Sequence, residues 1–127
     1  MAKRFLFELD HVQIAAPKGC ENAAREFFGR LLGLEEIEKP ERLHCRGGCW
    51  FKLGSHQLHI GVEENFQPAR KAHPAFAMQQ IDLLFGVLVG AGVECAWDNG
   101  IPGVRRFHAS DPWGNRLEFI ESVGTQP

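Results

Sequence analysis

In the stretch GSHQLHIGVE, residues 54–63, Leu58, Ile60 and Val62 fall on one side of an alternating pattern and Gln57, His59 and Gly61 on the other. A period of two is the mark of a strand with one packed face. Residues 6–14 carry a similar pattern, and a helix follows in which Ala24, Phe27, Phe28 and Leu31 are spaced i, i+3, i+4 and i+7. Gly33 stops that helix. Three further strands are predicted at about Leu43–Arg46, Cys49–Leu53 and Gln57–Val62, with Gly47-Gly48 and Gly54-Ser55 between them as two-residue hairpin signals. The first half of the chain is therefore expected to be β-α-β-β-β.

The second half repeats this order. A short strand is predicted at His73–Met78, a helix on Ile81, Leu84, Phe85 and Leu88, a stop at Gly92, and strands near Val93–Trp97, Val104–Ala109 and Asn115–Glu121. Gly33 corresponds to Gly92 and His59 to Glu118, both at an offset of 59, whereas His11 corresponds to His73 at an offset of 62. A deletion of three residues before the second helix stop reconciles the two values. Residues 63–72, EENFQPARKA, join the halves.

A chain of 127 residues is expected to form a single domain with one core. Net charge is −2 and charged residues make up 24%, which gives no case for a nucleic-acid or membrane partner. The opening MAKRFLFELDH lacks the apolar run of a signal peptide, and the most apolar segment, Ile81–Val93, is broken by Asp82, Gly86 and Gly90. Cys20, Cys45, Cys49 and Cys95 show neither a zinc-finger pair nor the density of a disulfide scaffold, so a reduced, cytoplasmic setting is expected.

The repeat pairs four metal-capable side chains at two equivalent positions: His11 with His73, and His59 with Glu118. Their neighbours Val12 and Ile14, Phe76 and Met78, Leu58 and Ile60, and Leu117 and Phe119 belong to the opposite face. Alternation thus puts the apolar sides under the helices and the four polar groups on the other side of the sheet. Three imidazoles and a carboxylate suit a borderline divalent ion, Zn2+, Ni2+, Mn2+ or Fe2+, with positions left open for substrate. The competing reading is four separate structural residues.

The chain resembles the vicinal oxygen chelate superfamily, which includes glyoxalase I, bleomycin-resistance proteins, fosfomycin-resistance enzymes and extradiol dioxygenases. The resemblance runs over about residues 5–122 and is carried by LDHVQIAAP, EFFGRLLGLE, HPAFAM and DPWGNRLEFIE. It implies an α+β fold in which two βαβββ modules form a curved mixed sheet with the helices outside. Module one would span about 5–63, the connector 64–72 and module two about 73–122. It also implies a metal held by His11, His59, His73 and Glu118, and a homodimer in which each metal takes ligands from both chains. At the place of His59, small bacterial glyoxalase I usually has Glu.

Such a site binds vicinal oxygens of a small oxygenated or anionic substrate for lyase, isomerase or dioxygenase chemistry, with Glu118 the candidate base. The alternative is a metal-free, ligand-sequestering protein of the bleomycin-resistance type. Trp50, Trp97 and Trp113 are candidates for an apolar pocket wall, against core packing. Arg106 and His108 share a strand face and are candidates for contacting an anion, against a solvated strand edge. Cys45 and Cys49 in HCRGGC are spaced to meet across a turn, although His44 and Cys45 would point to opposite faces.

Overall fold

The computed structural model describes residues 3–122. Strand β1 (His11–Ala16) is followed by helix α1 (Glu21–Ala24), which continues as a π-helical segment over Arg25–Leu31. Strand β2 (Glu36–Ile37), a 3-10 helix (Glu41–Arg46), β3 (Cys49–Leu53) and β4 (His56–Val62) complete the first half. The second half holds β5 (Ala75–Met78), α2 (Ile81–Gly90), β6 (Cys95–Trp97), β7 (Arg106–Ser110) and β8 (Arg116–Glu121). The two halves form four-stranded mixed sheets in the orders β1-β4-β3-β2 and β5-β8-β7-β6. In each sheet the first and last strands of the module run parallel, and the other neighbours are antiparallel. The parallel pair requires a crossover, which the helix supplies.

Alternation sets the two faces as expected. Ile14, Ala16, Phe51, Leu58 and Ile60 are buried in the first module, and Phe107, Ala109, Leu117 and Phe119 in the second. Phe27 and Phe28 of the first helix, and Ile81 and Leu88 of the second, join the same core cluster. Both helices end on a left-handed glycine, Gly33 at φ 79° and Gly92 at φ 84°. Leu34 N–H then donates to Phe28 O and Val93 N–H to Leu88 O, which satisfies carbonyls that the helix itself leaves free.

Several expectations are corrected. Leu43–Arg46 is not a strand: it lies in the 3-10 helix, and the strand beside β3 is the shorter Glu36–Ile37, paired with Trp50 and Phe51. Pro40 opens that helix with a fixed φ of −53°, Lys39 Nζ binds Gly47 O, and His44 Nε2–H donates to Lys39 O at 2.8 Å. These contacts curl the segment locally, and Gly47-Gly48 is consequently an exit from the helix and no hairpin turn. Residues 6–10 also lie outside regular structure, with Phe5, Leu6, Phe7 and Leu9 exposed. The first helix turns with π geometry over Arg25–Leu31, closing Leu32 N–H on Phe27 O, where a 3.6-residue period was expected throughout. Among the described residues, no helix is long and apolar enough to cross a membrane.

The two modules are tied at the turn before β8. Asp111 Oδ1 accepts N–H bonds from Trp113 (3.0 Å) and Asn115 (2.8 Å), forming the tight turn of DPWGN. Asn115 Nδ2 donates to Ala15 O of β1, and Asn115 Oδ1 accepts from Ala69 N–H of the connector, each at 2.8 Å. One buried amide thereby fixes β8 against both the connector and the first module.

Candidate metal centre

The register brings the first pair of candidate ligands together. Gln13 of β1 lies opposite His59 of β4, so His11, two residues earlier on the same face, reaches His59 diagonally. Their rings stack with centroids 4.2 Å apart, and Trp50 covers the other face of His59 at 3.8 Å. His59 is buried, and its Nε2–H donates to Gln57 Oε1 at 2.8 Å. Burial first, and the neighbouring His11 second, push its pKa below the ordinary 6.5, which keeps the imidazole neutral with a lone pair to offer. His11 Nδ1 is held by Asp10 Oδ1 at 2.9 Å, leaving Nε2 free.

The second module repeats this geometry. Ala75 lies opposite Glu118, and His73, two residues before Ala75, reaches Glu118 diagonally with Nε2 2.9 Å from Oε1. His73 Nδ1–H is anchored on Lys71 O at 2.9 Å, so Nε2 is the nitrogen presented to the site. Glu118 is buried, and burial works to raise its pKa. Hydrogen bonds from His73 and Arg106 outweigh that cost and bring it below the ordinary 4.5, so the carboxylate is ionised at neutral pH.

Behind Glu118 stands a chain of charges. Arg106 Nη1 binds Glu118 Oε2 at 3.1 Å while Nη2 binds Asp98 Oδ2 at 3.1 Å. His108 Nε2 meets the same Asp98 oxygen at 2.9 Å. Arg106 is thus engaged by two carboxylates, and His108 lies on β7 directly opposite Glu118. Asp98 is a residue that pattern reasoning missed. Its signal lay in Arg106 and His108 sharing one face and needing a counter-charge, with a lone aspartate just beyond the neighbouring strand.

The tryptophans divide between the faces. Trp50 belongs to the His59 face, whereas Trp97 shares the face of Phe107, stacks on Phe85 at 4.7 Å and lies under the Arg105 guanidinium. Trp113 packs against the core and faces Phe28 at 6.4 Å. Cys45 is exposed in the 3-10 helix and Cys49 is buried on β3, and both are free thiols.

The donor set fits a divalent cation: His11 with Nδ1 anchored and Nε2 free, His73 with Nδ1 anchored and Nε2 turned to Glu118, an ionised carboxylate, and a buried His108 Nδ1 that has no partner. Among the described residues, the one group of three potential ligands with donor atoms within 4.8 Å of one another is His73, His108 and Glu118. His11 and His59 form a separate pair within the chain. A cleft of about 870 Å³ has both His11 and His73 in its wall, together with Gln13, Gln57 and Arg116.

Neither a protein-family model nor a curated protein matches this chain. Among solved structures, a glyoxalase family protein from Bacillus anthracis is 52% identical, covers 95% of this chain and 99% of its own length, and superposes with a TM-score of 0.91. The fold is that of the vicinal oxygen chelate superfamily, and the chain belongs to its glyoxalase family. Lactoylglutathione lyase from Agrobacterium tumefaciens shares the fold at 17% identity and a TM-score of 0.72, over 91% of this chain and 93% of that one. A fosfomycin resistance protein from Listeria monocytogenes does so at 18% identity and 0.74, over 94% and 96%.

Proposed function

We propose that this protein is a divalent-metal-dependent enzyme that chelates adjacent oxygens of a small oxygenated or anionic substrate. The observation that carries the reading is the repeated geometry: His11 reaches His59 from β1, and His73 reaches Glu118 from the equivalent place before β5. Four structural residues scattered by chance would not fall on one register in both modules. A divalent cation held by His11, His59, His73 and Glu118 supplies Lewis acidity for negative charge developing on a substrate oxygen. Glu118, ionised and with Oε2 held by Arg106, would take a substrate proton on Oε1 on partial release of that oxygen from the metal.

In line with the family resemblance, the complete set is assembled from module one of one copy and module two of another. The proposed state is a cytoplasmic homodimer with shared sites. The cleft falls in the range of about 300–1,000 Å³ usual for small-molecule sites. Related proteins named for lactoylglutathione and for fosfomycin resistance point to small molecules as the substrate class.

The test is metal content per chain by elemental analysis of untagged protein, for wild type, His59→Ala and Glu118→Ala. One transition metal per chain, lost in both variants, supports the reading, and the ion found directs the assays: iron toward dioxygenation, zinc, nickel or manganese toward lyase or isomerase chemistry. A wild type that takes up none of these ions, even on reconstitution, overturns it in favour of a metal-free ligand-sequestering protein.

A further inference from the structure

We propose that His108 is itself a metal ligand, so that module two carries a three-point cation site, His73, His108 and Glu118, within a single chain. This rests on the metal-dependent reading above and adds to it a residue and a division of labour between the modules. The starting point is strand parity. Phe107 and Ala109 of β7 are buried in the core, which turns His108 toward the opposite face, where its register partner is Glu118. The His108 ring meets the His73 ring edge-on, with centroids 5.6 Å apart.

The bonding of the His108 ring matches that role. Asp98 Oδ2 binds Nε2 at 2.9 Å and fixes the orientation of the imidazole, while Nδ1 is left buried without a partner. A buried nitrogen with no hydrogen bond costs stability unless something else occupies its lone pair. A ring held by a carboxylate on one nitrogen, with its other nitrogen free, is the arrangement by which a second layer of residues orients metal-ligating histidines. Arg106 completes that layer. By occupying Glu118 Oε2 and Asp98 Oδ2 together, it leaves Oε1, the oxygen paired with His73 Nε2, as the one Glu118 can turn to a cation. Its own Nε is also buried and unpartnered.

The modules also differ on the strand beside this pair. Trp50 lies opposite His59 as His108 lies opposite Glu118, so the repeat places a ring with no ligand atom in module one and an imidazole in module two. Module two is accordingly the half that captures the ion.

The experiment titrates Co2+ into the metal-free full-length protein and follows the visible d–d absorption, with circular dichroism to show that each variant is folded. The His11→Ala/His59→Ala double variant, expected to lose its resident metal on purification, should still take up one Co2+ per chain when the ion is added in excess, more weakly than wild type. Asp98→Asn is expected to weaken Co2+ binding by about 10- to 100-fold. His108→Ala and His108→Gln are expected to weaken it at least as much and to change the absorption band. Wild-type affinity and spectrum in both His108 variants would overturn the proposal and leave the four-ligand reading standing. So would loss of all binding in the double variant, since module two would then not suffice. No Co2+ uptake by the wild type would remove both.

Discussion

Replacing Asn115 with Ala tests how the modules are joined. The side chain is buried and makes three bonds: Nδ2 to Ala15 O at 2.8 Å and to Asp111 Oδ2 at 2.7 Å, and Oδ1 from Ala69 N–H at 2.8 Å. Alanine leaves a β1 carbonyl, a connector N–H and one carboxylate oxygen without their partner. Each unsatisfied buried group costs about 1–3 kcal/mol, but Asp111 keeps its backbone bonds and the loosened turn admits water, so the sum is about 3–5 kcal/mol. For a domain with a total stability of about 5–15 kcal/mol this is a large fraction, equivalent to a fall in Tm of roughly 10–20 °C. Urea denaturation followed by circular dichroism measures it, with Asp111→Ala and the double variant closing a cycle whose coupling should reach about 1 kcal/mol or more. A loss below about 1 kcal/mol with an unchanged urea dependence would refute the claim that this amide ties β8 to β1 and the connector.

Gly48→Ala is expected to cost at least about 2 kcal/mol in the same assay, because φ is 87° and the added Cβ would overlap the Ile60 carbonyl oxygen. Phe28→Ala, which empties a fully buried site, should cost about 3–5 kcal/mol. For pH, His59 titrates below its ordinary 6.5 in the folded state, so the unfolded chain takes up its proton first: stability of the metal-free protein is full above that value and falls as the pH drops below it. Glu118 titrates below 4.5, so its contribution is present above that pH and lost as the pH falls through its folded pKa. Thermal melts across this range should show both declines, and His59→Gln should abolish the first; melts that stay flat below neutral pH would contradict both shifts.

Much of the site was legible as pattern. The His11–His73 and His59–Glu118 equivalence came from two offsets in the chain, and the strand register reproduces it: Gln13 opposite His59 matches Ala75 opposite Glu118. What stayed hidden involved contacts between segments with no shared period. Asp98 follows β6 and reaches Arg106 and His108 only because β6 and β7 are neighbours. The 3-10 turn over Glu41–Arg46 depends on the contacts of Lys39 with Gly47 and of His44 with Lys39, which outweigh the strand-like spacing of Leu43–Arg46.

The sequence by itself determined the repeat of the two modules, the packed faces of β1, β4, β7 and β8, and which polar residues share the other face, because side-chain direction follows from the two-residue period of a strand and the helix stops from glycine's access to positive φ. Tertiary structure alone decided which of those residues meet. Pairing of His73 with Glu118 and of His59 with His11 and Trp50 depends on strand register and sheet order. The engagement of Arg106 by two carboxylates, and the buried free nitrogen of His108, depend on electrostatics between segments that only the folded sheet brings within reach.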